Sequence, residues 1–162
     1  MKNFIQFALV GFLAVALTGC FDTDLITGDI KVDIGIDPFN AIVSTGVMRK
    51  LNDVQTKNIT ITGTNGSKIV TLTLTEVGGD TTTNCLSMGN YSYNDISQNA
   101  QLLYGIDGET YSNVISCTAT ISECDGEEKF ISGTFEGVLV SSSGDTLSFS
   151  NGSFEEVGFT IQ

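Results

Sequence analysis

Over most of this chain apolar and polar residues alternate with a period of two, the spacing at which successive side chains leave a strand on opposite faces. "NITITG" and "KIVTLTLTE" flank "TNGS", and an Asn-Gly pair between two alternating runs signals a hairpin. In the second run Val70, Leu72 and Leu74 share one face while Thr71, Thr73 and Thr75 share the other. Upstream, "DIKVDIGIDPF" alternates Ile30, Val32, Ile34 and Ile36 against polar or glycine positions, a strand that Pro38 is expected to end. Downstream, residues 78–90 read as a loop, and "YSYND" and "AQLLYG" as short strands around a turn. "ISCTATISE" then places Cys117, Ala119 and Ile121 on one face before "CDGEEK" turns the chain.

One segment fits two periods. Phe39, Ile42, Val43, Gly46, Val47, Leu51 and Val54 make a helical stripe. Yet "AIVSTGVM" is rich in β-branched residues and carries a central glycine, which costs a helix roughly 1 kcal/mol. A strand over about 40–49 is the preferred reading.

The last forty residues hold the clearest pairing. With a loop over 141–145 between "FISGTFEGVLV" and "DTLSFSNGSF", Leu139 faces Leu147, Gly137 faces Phe149 and Phe135 faces Asn151. An aromatic ring over a cross-strand glycine packs well. Thr134, Glu136, Ser148 and Ser150 fall on the opposite, wetted face, and a bulge at Asn151-Gly152 would turn Phe154 inward. Sheets apolar on one side and polar on the other are antiparallel. The expected fold is therefore all-β, an antiparallel sandwich or small up-and-down barrel of about eight strands. Eighteen glycines and a single proline suit a chain of strands and tight turns.

The N-terminus departs from this pattern. Lys2 precedes "FIQFALVGFLAVAL", whose 14 residues fall short of the ~20 that span a bilayer as a helix. The expected division is a signal peptide over 1–19, a polar tether over 20–29 and one β-domain over 30–162. Leu17-Thr18-Gly19-Cys20 resembles a lipobox, the motif of bacterial lipoproteins, which implies cleavage before Cys20 and its acylation. Two or three acyl chains, at ~0.8 kcal/mol per buried methylene, would anchor the chain stably. The alternative is an ordinary signal peptide whose Cys20 later joins a disulfide. By the same resemblance, Phe21 in place of Asp argues against retention in an inner membrane, and Asp22 and Asp24 resemble acidic export signals of Bacteroidota surface lipoproteins. A lipid-anchored place in the cell envelope, at the outer membrane, is expected, with the side of the membrane open.

Charge and missing residue types narrow the chemistry. Once Lys2 leaves with the signal, six basic residues stand against nineteen acidic ones, a surface that repels nucleic acid and anionic headgroups. Histidine is absent, so Ser-His-Asp and Cys-His catalysis and the usual zinc sites are excluded. Tryptophan is absent too, which weakens a glycan-stacking platform.

What remains are modest candidates. Tyr91, Tyr93, Tyr104 and Tyr111 could form a ligand-contacting rim in the 77–113 region, although Tyr91 and Tyr104 also suit a half-buried sheet. Asp107 and Glu109, or Asp125, Glu127 and Glu128, could pair as general acid and base, but they sit in Gly-containing turns where carboxylates are ordinarily solvated. No cofactor is expected; Ca2+ is the one ion that "ECDGEE", through Asp125, Glu127 and Glu128, could wrap. An exported chain permits a disulfide. Residues 117 and 124, about 23 Å apart along one strand at ~3.3 Å per residue, lie beyond bonding reach. Cys85 pairs with Cys117 or with Cys124, or all three thiols stay reduced.

The order of "NITITGTNGSKIVTLTLTE", "GNYSY", "LLYG…ETYSN", "CTATISECDGEEKFISGTFEGVLV" and "LSFSNGSF" resembles a domain of unknown function found in Bacteroidota lipoproteins, over roughly residues 36–156. That resemblance implies an all-β fold in the cell envelope and brings no catalytic residues. The expected function is a non-catalytic, lipid-anchored β-domain that binds a glycan, a peptide or an envelope protein. A carboxylate-type glycan-acting hydrolase and a purely structural lipoprotein are the alternatives.

Overall fold

A computed structural model describes residues 28–162; Cys20, the signal peptide and most of the tether lie outside the described residues. Eleven strands form one sheet: β1 (Asp29–Ile34), β2 (Asp37–Asn40), β3 (Val43–Leu51), β4 (Thr56–Asn65), β5 (Lys68–Val77), β6 (Gly89–Ser92), β7 (Gln98–Ile106), β8 (Glu109–Tyr111), β9 (Asn113–Asp125), β10 (Phe130–Val140) and β11 (Thr146–Ile161). Nine of them follow the order β6-β9-β10-β11-β3-β4-β5-β7-β8, and β1 pairs β11 while carrying β2 on its other side. Every pairing is antiparallel except β11 with β3. The sheet curls around its apolar face into a half-barrel.

The all-β class therefore stands, and its finer form is corrected. The closed sandwich or barrel of eight strands gives way to eleven strands in an open sheet with β6 and β8 at its ends. The reading by periodicity merged short elements. β1 and β2 form a hairpin about Gly35-Ile36, and Pro38 sits inside β2 instead of ending a strand. It is tolerated because β2 pairs only with β1, so the missing N–H leaves no ladder bond unmade. The ambiguous segment is strand from Val43 to Leu51, followed by a short 3-10 turn over Asn52–Val54. Gly46 belongs there because β3 runs hard against β11: a Cβ at Gly46 would lie 2.8 Å from the Cβ of Phe159.

The β10–β11 pair explains the glycines of its two motifs, "SGTF" and "NGSF". Gly133 opposes Phe154, and Phe135 opposes Gly152, so each phenylalanine covers the glycine of the other strand. A Cβ on Gly133 would meet the Phe154 ring at 2.5 Å, and one on Gly152 would meet the Phe135 ring at 2.8 Å. The two rings lie side by side, 6.4 Å between centroids. Leu139 faces Leu147 and Gly137 faces Phe149 as expected, but Phe135 faces Gly152 and not Asn151. The extra residue of the bulge is accommodated one position earlier, with Asn151 at φ 54. Glu156 also has a positive φ, 49. The inward set along β11 is thus Phe149, Gly152, Phe154, Val157 and Phe159, which breaks strict alternation twice. Bulges bend and twist a strand, and β11 is the strand through which the sheet turns from β10 and β1 towards β3.

The β4–β5 hairpin is regular by comparison. Its register runs unbroken from Thr56 opposite Val77 to Asn65 opposite Lys68, about a two-residue turn in which Gly66 has φ 59. Ile59, Ile61, Val70, Leu72 and Leu74 are buried on its inner face. Its outer face is a threonine ladder, with Thr60 and Thr73 hydroxyls 3.2 Å apart and those of Thr62 and Thr71 3.4 Å apart.

Candidate functional site

The inner faces of β4 and β5 do not end in apolar residues. Lys57 continues the inward row of Ile59 and Ile61, and Glu76 continues that of Leu74 and Leu72; the two oppose one another across the ladder. Both are buried, at 2% and 7% exposure. Burying charge is costly unless every donor and acceptor finds a partner, and here each does. The Lys57 ammonium lies 3.4 Å from Glu76 Oε2 and donates to Thr83 Oγ1 at 3.1 Å and to the Cys85 carbonyl at 2.5 Å. Glu76 accepts from the Ser87 hydroxyl at 2.6 Å and the Ser87 amide at 3.1 Å. Tyr91 donates its phenol proton to the Ser87 carbonyl at 2.9 Å. Burial alone would raise the Glu76 carboxyl, but the two Ser87 hydrogen bonds and the Lys57 charge outweigh it and hold the group below its ordinary range.

Thr83, Cys85 and Ser87 all lie in the crossing segment 78–88 between β5 and β6. A disulfide from Cys85 to Cys124, Cα atoms 5.8 Å apart, fastens this segment to the end of β9. Asn84 adds two contacts, accepting from Lys50 Nζ at 2.9 Å and donating to the Gly126 carbonyl at 3.4 Å. The network is closed on itself and leaves no group poised for an outside substrate. Its signal in the sequence is a Lys and a Glu that each fall in phase with an inward apolar row.

The residues singled out from sequence are dispersed. Tyr91 is fully buried on β6 opposite Ala119, and Tyr104 is 3% exposed on β7. Tyr104 packs on Tyr111 at 5.8 Å and edge-on to Phe149 at 5.7 Å. Burial raises the phenol pKa of both Tyr91 and Tyr104. Of the two readings of the tyrosines, the sheet reading holds for Tyr91 and Tyr104, which are buried in the core, and Tyr93 and Tyr111 are half-buried against it, so the four rings form no exposed rim. Asp107 and Gly108, with φ 50 and 87, make the two-residue turn between β7 and β8, and Glu109 opens β8 beside them. Asp125 spends one oxygen on the amides of Glu127 and Glu128, each at 2.8 Å. Among the described residues no group of three His, Cys, Asp or Glu side chains converges to hold a metal, so the grouping of Asp125, Glu127 and Glu128 as a calcium site is not formed. Cys117 is the free cysteine among the described residues, and burial pushes its thiol up to about 12.

An open surface lies on the outer face of β9, β10 and β11. Thr118, Thr120, Thr134, Glu136, Asn151 and Ser153 border a groove of about 410 Å³. A second hollow of about 220 Å³, lined by Ser116 and Ser148, shares Thr118 and Glu136 with it. These positions are the polar counterparts of the inward Phe and Gly rows, so the strand pattern that builds the core also lines the groove. Some of its polar groups are pre-oriented. Glu136 accepts from Thr118 at 3.3 Å, Asn90 accepts from Thr120 at 2.8 Å, and Asn151 donates to Asp33 at 2.9 Å. Such a surface can exchange hydrogen bonds with hydroxyls and amides and holds no nucleophile–base pair.

Together these features define a single-sheet, half-barrel β-domain with a stapled rim and a hydroxyl-lined outer face. Residues 39–158 match the family model described as a domain of unknown function, DUF6252, and the chain belongs to that family. No curated protein and no solved structure matches it.

Proposed function

We propose that the chain is a non-catalytic, lipid-anchored binding domain of the bacterial cell envelope, of the Bacteroidota lipoprotein type, held at the outer membrane through Cys20. Its ligand is a glycan, recognised by hydrogen bonding on the outer face of β9–β11. The observation that carries this reading is the groove bordered by Thr118, Thr120, Thr134, Glu136, Asn151 and Ser153, whose side chains match the donors and acceptors of sugar hydroxyls. The acidic balance of the chain disfavours polyanionic polymers and directs the proposal to neutral or amino-bearing glycans. The missing histidines, and a groove whose lining holds Glu136 as its one carboxylate, support binding over hydrolysis.

The test is an array of neutral, amino-bearing and acidic oligosaccharides probed with residues 28–162, followed by titration calorimetry on any hit. Saturable binding that falls at least tenfold in Thr134→Tyr, which fills the groove, and in Glu136→Ala supports the assignment. No saturable glycan, or binding indifferent to both changes, overturns it. Anchoring is tested separately by intact mass of the membrane-extracted protein, where Cys20→Ala must abolish the acyl mass and release the chain.

A further inference from the structure

Segment 78–88 crosses from β5 to β6 without a ladder partner of its own. Glycines bracket it: Gly78 at φ 78 on one side and Gly89 at φ 135 on the other, with Gly79 adjoining the first. Left-handed glycines at both ends are the positions at which such a segment pivots with least resistance. Between them, Thr83, the Cys85 carbonyl and Ser87 form the lid over Lys57 and Glu76. One covalent bond, Cys85 to Cys124, ties this lid to the other half of the sheet.

Two tendencies oppose one another here. Lys57 and Glu76 are ions held away from water, and each would regain hydration if the lid lifted. The lid's hydrogen bonds, the burial of Leu86 and the disulfide resist this. Of these, the disulfide is the one that a thiol reductant removes without altering the sequence.

We infer that segment 78–88 is a redox-gated strap: a dithiol reductant opens it and exposes the Lys57–Glu76 pair, while the rest of the sheet stays folded. The reductant's thiolate attacks one sulfur of Cys85–Cys124, and its second thiol resolves the mixed disulfide. Two electrons and two protons pass to Cys85 and Cys124 as the reductant closes its own disulfide. Cys117 takes no part, because it is buried inside the sheet as an un-ionised thiol.

The experiment is hydrogen–deuterium exchange of residues 28–162 carrying Cys117→Ser, oxidised and then reduced with a dithiol, beside the Cys85→Ser/Cys124→Ser form. Amine labelling of Lys57 is followed in parallel. Exchange in 79–88 should rise at least a hundredfold on reduction and in the double variant, and return on reoxidation. Peptides of β10 and β11 should keep their protection, and Lys57 should become labelled. Unchanged exchange in 79–88 overturns the inference, since the ionic latch alone would then hold the strap. Loss of protection throughout the sheet also overturns it, since the disulfide would then be holding the whole fold.

Discussion

The β10–β11 pair and the β4–β5 pair are both two-faced ribbons, apolar within and hydroxyl-bearing without, yet they are held by different means. β4 and β5 keep a perfect register, and their apolar rows end at the rim in a buried ion pair covered by a stapled strap. β10 and β11 lose register twice, and they are locked by two phenylalanines lying over two glycines. Regular alternation makes a repetitive ribbon whose rim must be closed by something else. Bulges with ring-over-glycine contacts make a bent ribbon whose two strands lock onto each other. Shape specificity in the first case comes from polar partners, and in the second from van der Waals fit.

That contrast can be broken on the aromatic side first. Phe154→Ala removes a fully buried ring and uncovers Gly133, and should cost about 3–5 kcal/mol of unfolding free energy. Urea denaturation measures it, and a loss under about 1 kcal/mol would mean that the interlock does not hold this half.

The ionic rim should respond in a way no apolar contact would. Lys57→Met leaves Glu76 buried and unpaired, and should cost about 3 kcal/mol, whereas Lys57→Met combined with Glu76→Leu should restore stability to within about 1 kcal/mol of the parent. If the double variant is no more stable than the single one, the pair contributes more than mutual neutralisation.

The smallest effect is in pH. The folded-state pKa of Glu76 lies below its unfolded value. Its contribution is therefore complete above the ordinary glutamate range near ~4.3 and fades as pH falls through that range towards the lowered folded value. Melting temperature followed from pH 7 to pH 3 should drop less steeply in Glu76→Gln than in the parent. Parallel curves would show that Glu76 does not titrate with unfolding.

Much of this architecture could be read from alternation, because a half-buried strand writes its two faces into successive residues. Leu139 opposite Leu147, the hairpin at "TNGS" and the inward turn of Phe154 follow from period and turn chemistry alone. Pro38 within β2, and β8, are not legible in the pattern because edge strands make few contacts and carry weak alternation. The tyrosines stayed open between two places for another reason: an amphipathic ring suits a ligand rim and a core alike, and its neighbours decide. Tyr91 found the Ser87 carbonyl, and Tyr104 found Phe149.

Sequence by itself determined the β class, the hairpins at "TNGS" and over 141–145, and the polarity of their faces, since these depend on residues two to ten positions apart. Tertiary structure alone decided that Cys85 bonds Cys124 and leaves Cys117 reduced, that eleven strands curl without closing, and that Lys57 is a core residue. Each of those outcomes depends on segments brought together from distant parts of the chain, where burial and hydrogen-bond partners set the cost of a charge or a thiol and local spacing carries no record of them.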